Sequence, residues 1–119
     1  MIIQHIKRTK QEISPKKKSI LKRTHKIGTL IAFRNDKGTI RVGFSSVNVA
    51  AGDVFDAKKG ILLAEQRTYT VSENGSLYIP EEIPRKIREK ITYFVEHRCS
   101  RYFKQNIKIF FVKTKFKLQ

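Results

Sequence analysis

The sequence predicts an α+β domain: a mainly antiparallel sheet in ββ–α–ββ–α–β order, with helices packed on one face. Three observations carry that expectation. Several stretches alternate apolar and polar residues beside turn-forming clusters, the period of a half-buried strand. Others repeat apolar residues every three or four positions, the period of a helix with one buried side. The connections are short, which favours hairpins over long crossovers. At 119 residues the chain suits one domain with a small core.

The first element is a hairpin, "IGTLIAFRNDKGTIRVGFSS", residues 27–46, turning at Asn35-Asp36-Lys37-Gly38. A four-residue loop pairs Phe33 with Ile40 and Ile31 with Val42. That register puts Ile31, Phe33, Ile40, Val42 and Phe44 on the core face. "GDVFDAKKGILLAEQR", residues 52–67, reads as a helix with Asp53 as its N-cap. "TYTVSENGSLYIP", residues 68–80, reads as a second hairpin around a tight Asn74-Gly75 turn.

The longest helix is "IPRKIREKITYFVEHRCSRYFKQ", residues 83–105. Pro84 suits its first turn, where a missing N–H costs nothing. Ile83, Ile87, Ile91, Phe94, Val95, Cys99 and Tyr102 fall on one side at 100° per residue. The same projection puts Arg98 inside the apolar arc, where a guanidinium needs a carboxylate such as Asp53 or Asp56, an exit to solvent, or a ligand phosphate. "IKIFFVKTKFKL", residues 107–118, is the last strand. It carries Phe110, Val112, Phe116 and Leu118 on one face and Lys113, Lys115 and Lys117 on the other.

Charge is the strongest compositional feature, and it is unevenly placed. The net charge is +16, of which residues 1–27 supply +8 and residues 101–119 supply +6. The 73 residues between are nearly neutral. Residues 1–26 therefore read as a basic, flexible N-terminal arm, and 27–119 as a single domain ending in a basic strand. The arm includes "SPKKKSILKRTHK", with six Lys or Arg and no acid. A field of this size attracts nucleic acid, anionic lipid or an acidic protein surface, and it says nothing about fold.

The stretch from Gly38 to Arg67 contains "GTIRVGFS", Asp53, "FDAKKG", Ala64 and Arg67. It resembles a pattern in small basic proteins of tailed bacteriophages, over about a quarter of the chain. That group has no established activity, so the resemblance assigns no functional residue. It implies a phage or mobile-element source, the host cytoplasm as location, and a role in genome handling or takeover of host machinery.

Catalysis finds little footing. His5, His25 and His97 are far apart in sequence, and Cys99 points away from His97 on a helix, so neither a thiolate–imidazole couple nor a zinc site is indicated. Asp53, Asp56 and Glu65 are better explained by capping and helix-dipole roles than by a metal. With one cysteine there is no internal disulfide, and no window approaches the length of a membrane span. No cofactor is expected.

Binding has a clearer pattern. Lys86, Lys90, Tyr93, His97, Arg101 and Lys104 form a stripe about 80° wide on the long helix. Cations with a ring among them fit a polyphosphate backbone with a stackable surface, although a solvated face has the same composition. Lys113, Lys115 and Lys117 lie about 7 Å apart on the last strand, a spacing commensurate with phosphates and also suited to guarding a sheet edge. With Lys16, Lys17, Lys18, Lys22 and Arg23 of the arm, these make a sequence-independent electrostatic surface for DNA or RNA. The rival expectation is a protein that inhibits or redirects a host enzyme by covering an acidic groove. Tyr69 and Tyr78 are further candidates for stacking.

Overall fold

The computed structural model describes residues 1–13, 20–47 and 52–113, with the side chains of 10–13 and 20–23 excepted. Its strands and helices run β1 (Ile2–Ile13), β2 (Ile20–Arg34), β3 (Ile40–Ser46), α1 (Ala57–Gln66), β4 (Thr68–Thr70), β5 (Ser76–Pro80), α2 (Arg85–Tyr93), a π-helical segment (Phe94–Cys99), α3 (Ser100–Phe103) and β6 (Lys108–Val112). β1 to β4 form an antiparallel sheet in sequential order, and β5 pairs with β6 in a separate parallel pair. The fold is α+β, but a third strand precedes α1.

That extra strand comes from the basic N-terminus. Residues 2–13 pair with β2 from Ile2↔Ala32 to Ile13↔Ile20. The boundary between arm and domain at residue 26 thus runs through the middle of β2. Charge density hides a period-two pattern in "MIIQHI": Ile2, Gln4 and Ile6 share a face, and Ile6 is buried.

The β2–β3 hairpin forms with a register one residue from the expected one. Arg34 pairs with Ile40, Ala32 with Val42 and Leu30 with Phe44. The loop holds five residues because Asn35 organises it: its Oδ1 accepts from the Lys37 and Thr39 N–H groups at 3.0 and 2.9 Å. Gly38 takes φ +79°, which a residue with a Cβ adopts only under strain. One step of register moves β2 side chains to the opposite face. Leu30 and Ala32 therefore join Ile40 and Val42 in the main core, while Ile31 faces the other way.

Helices consequently pack on both faces of the sheet rather than one. α1 covers the side of Thr29, Gly43 and Ser45. Its N-cap is Asp56, whose carboxylate accepts from the Lys59 N–H, rather than Asp53. Ser45 Oγ donates to the Gly60 carbonyl at 2.8 Å, and His5 Nδ1 lies 3.2 Å from Thr29 Oγ1, so the buried polar groups on this face have partners. α2 and its extension cover the opposite face. Ile91, Phe94, Val95, Cys99, Leu77, Ile79 and Ile107 are fully buried there against Leu30, Ala32 and Val42. Each such large side chain contributes roughly 1.5–3 kcal/mol.

Beyond α1 the chain departs further from the expected hairpins. β4 pairs with β3 and β5 with β6, so Asn74-Gly75 turns the chain between two sheets without joining a hairpin. Only Gly75 of that pair has positive φ, which excludes the type I′ turn. In the last strand Ile109 is buried and Phe111 packs on the core, leaving Phe110 and Val112 exposed. The expected faces are thereby exchanged. No helix among the described residues is long and apolar enough to cross a membrane.

Gly43 marks the tightest seam. A Cβ there would lie 2.1 Å from the Ala64 carbonyl oxygen, so β3 and α1 approach backbone to backbone. Gly43→Ala should push α1 off the sheet and cost about 1–3 kcal/mol. Gly38→Ala, in open space, should lose only about 1 kcal/mol to backbone strain. Urea unfolding midpoints for the two variants test this order, and an equal loss would refute the seam.

Candidate nucleic-acid interface

The hairpin β1–β2 outruns the rest of its sheet. β3 pairing stops at Gly28↔Ser46, but the β1–β2 ladder continues from Lys7↔Lys26 to Ile13↔Ile20. The register slips between Ile6 and Lys7, leaving Ile27 as an extra residue where a two-stranded ribbon leaves the body. Such bulges bend and twist a strand. The radius of gyration is 16.7 Å, against about 13–14 Å for a compact domain of this length.

The ribbon is basic on both strands. Lys7 lies opposite Lys26 and Arg8 opposite His25, all four exposed, and the register continues with Lys10 opposite Arg23. Thr9 and Thr24 bridge it through their hydroxyls at 3.3 Å. Like charges placed directly across a ladder destabilise it.

The ribbon's root runs beside α2. Between them lies a groove of about 420 Å³ with Lys7, Arg8, Lys86 and Lys90 among its walls and Ile6, Ile27 and Ile87 beneath. Glu89 is an acid in its lining. Further along, the Tyr93 and His97 rings lie with centroids 4.6 Å apart and planes tilted by 30°, and both are exposed. They border a second groove of about 350 Å³ that includes Arg98, Arg101 and Tyr102.

The helix does not keep a single pitch, and this rearranges the expected faces. The Ser100 N–H bonds to the Val95 carbonyl five residues back, as in a π-helix. The wider turn rotates later residues relative to a 100° projection. Arg98 accordingly sits outside, donates to Gln4 Oε1 across β1 and lies over the Phe94 ring at 5.8 Å. Of the outcomes the projection leaves open, it takes the exit to solvent rather than a buried carboxylate partner. Tyr102, placed in the core by the same projection, is exposed by 52%.

The structure gathers part of the expected surface. Lys86, Lys90, Tyr93, His97 and Arg101 are exposed along α2 and its extension. Lys104 is exposed too, but at the left-handed C-cap, near Met1, Phe33 and Arg34. Lys113 is exposed just past β6. Lys22 and Arg23 occupy β2 register positions opposite Gln11 and Lys10. Lys16, Lys17, Lys18, Lys115 and Lys117 lie outside the described residues. Tyr69 stacks on Phe44 and is half-buried, whereas Tyr78 is exposed and stacks on Phe110. Lys7, Arg8, Arg85 and Arg88 were not among the expected site residues. The i, i+3 spacing of Arg85 and Arg88 was visible in the sequence, but their neighbour Phe111 comes from another element.

No protein-family model matches the chain, and no curated protein or solved structure is significantly similar to it.

Cys99 lies fully buried behind this surface, and burial pushes its thiol up to about 12, with the Arg98 guanidinium opposing more weakly. Below pH 9 the thiol is protonated in both folded and unfolded chains. Above it the unfolded thiol ionises first, so the unfolded state binds fewer protons and stability falls by about 1.4 kcal/mol per pH unit. The stability advantage of the wild type over Cys99→Ala should shrink at that slope from pH 9 upward in urea titrations. A constant difference would show that the thiol is hydrated. Alkylating reagents should modify Cys99 only after unfolding.

Proposed function

We propose that this chain is a nucleic-acid-binding protein that grips the phosphate backbone without reading sequence, with duplex DNA as its main ligand. One observation carries the reading: a projecting two-stranded ribbon that sets cation opposite cation. Such a ribbon is electrostatically costly alone and is relieved by a polyanion lying along it. The major groove of B-DNA, about 12 Å wide, admits a two-stranded ribbon. That of A-form RNA is too narrow for side chains to read. With the ribbon seated, Lys86 and Lys90 on the neighbouring helix, which line one groove with Lys7 and Arg8, meet the adjoining phosphates.

Binding of this kind positions the protein without selecting a base sequence. It suits the phage-type genome handling suggested by the Gly38–Arg67 pattern, whose residues in β3 and α1 serve the seam on the far face. The competing reading, an acidic groove on a host enzyme, needs the same positive charge. It is separated by pull-down from nuclease-treated lysate, in which a protein partner survives and a nucleic-acid partner does not.

Replacing Lys7, Arg8, Lys86 and Lys90 together by Gln should flatten the plot of log K against log salt on duplex DNA by about 3–4 units. The loss should be alike for unrelated sequences. Lys58 and Lys59 on α1, across the sheet, provide the control pair. Equal effects from both sets would reduce the interaction to net charge without a site.

Lys26→Glu adds a test with opposite signs. Placed opposite Lys7, the carboxylate should stabilise the fold by about 0.2–1 kcal/mol, while duplex affinity falls. Affinity unchanged by this substitution would remove the ribbon from the interface.

A further inference from the structure

α2 has a second flank, turned away from the ribbon, where it meets β6. A groove of about 470 Å³ opens there, lined by Arg85, Arg88, Thr92, Tyr93, His97 and Phe111. Arg88 is its unusual member. The side chain is half-buried, and its guanidinium lies over the Phe111 ring at 5.7 Å. Its Nε is fully buried and has no acceptor among the described residues. A buried donor left unmet costs about 1–3 kcal/mol, more when charged, so an acceptor that reaches this guanidinium is favoured.

The surroundings narrow the chemistry of such an acceptor. Arg85, one turn before, lines the same groove and makes an exposed contact of 3.4 Å to Glu89, which also lines it. Exposed pairs of this sort are weak and readily exchanged for a better anion. Two guanidiniums match a dianion with several acceptor oxygens, the description of a phosphate monoester near neutral pH. On the open side stand the Tyr93 and His97 rings, exposed and nearly stacked. They offer an aromatic wall to a planar group attached to the phosphate. The volume suits one nucleotide.

We propose that the groove between α2 and β6 binds a phosphate monoester, with Arg88 and Arg85 on the phosphate and Tyr93 and His97 against the attached base. The inference rests on the nucleic-acid reading for its biological ligand, but not for its chemistry. A nucleic-acid end carrying a terminal phosphate and a free mononucleotide present the same group.

The experiment follows the arginine Nε–H signals of the full chain by 1H–15N spectroscopy. One signal, missing in Arg88→Met, should shift saturably on addition of inorganic phosphate. Adenosine 5′-monophosphate should shift it at lower concentration, and adenosine should leave it in place. Arg85→Gln, at an exposed position that spares the fold, should weaken the phosphate response severalfold. A 5′-phosphorylated single strand binding about tenfold tighter than its 5′-hydroxyl counterpart would identify the nucleic-acid end as the source. Equal affinities alongside a saturable mononucleotide response would identify the free nucleotide. A signal that phosphate does not move, or that adenosine moves equally, overturns the proposal. The salt slope on long duplex DNA should be the same in Arg88→Met and wild type, so failure here leaves the ribbon reading standing, and failure of the ribbon leaves this site.

Discussion

Ile87, Ile91, Val95, Cys99 and Phe103 follow one another at a strict spacing of four, and all five pack into or against the main core. An ideal α-helix repeats every 3.6 residues, so a stripe of period four would drift around it and leave the core within a few turns. The π-helical segment absorbs that drift. By widening the helix at Phe94–Cys99 it keeps Val95 and Cys99 on the sheet in line with Ile91. The rest of the surface inherits its orientation from this adjustment. Tyr93 and His97 are left on the crest between two grooves, and Arg98 is turned towards Gln4 on β1. Segments of this kind are frequent at functional sites, and here the cause is visible in the spacing itself.

The ribbon depends on the same core at one remove. A two-stranded hairpin is marginal in water, and this one carries repulsion between its strands. It persists as the continuation of β2, whose inner half, from Gly28 to Ala32, is buried on both faces of the sheet. Ile6 and the extra residue Ile27 lie where the buried portion gives way to the solvated one. Apolar burial at the base thus offsets charge further along the ladder.

What could be read from the sequence followed the range of the forces involved. The long helix, α1, the Asn35–Gly38 turn and the exposed cations of α2 rest on local chemistry and were legible. The hairpin register was not, because one extra loop residue, recruited by the Asn35 side chain, exchanges the two faces of β2. Strand β1 was obscured because composition, rather than alternation, dominates residues 1–26. The β5–β6 pair was beyond reach for a different reason: Asn74-Gly75 is a sound hairpin signal, and only the distant Lys108–Val112 strand outcompetes the local partner. On the surface, Lys86 to Arg101 could be found by projection, whereas the pairing of Arg88 with Phe111 required the fold.

That parallel pair also sets an order of assembly. A parallel connection cannot be closed by a turn; here all of α2 and its π-helical continuation lie between Pro80 and Lys108. Leu77 and Ile79, fully buried in the finished protein, have no ladder partner until the segment at Lys108–Val112 exists and the helix has crossed the sheet. The four-stranded sheet and α1, by contrast, are complete by Thr70. As the chain is synthesised, the part through Thr70 can therefore pair before β5 has any ladder partner, and the helix that bears both grooves belongs to the later part.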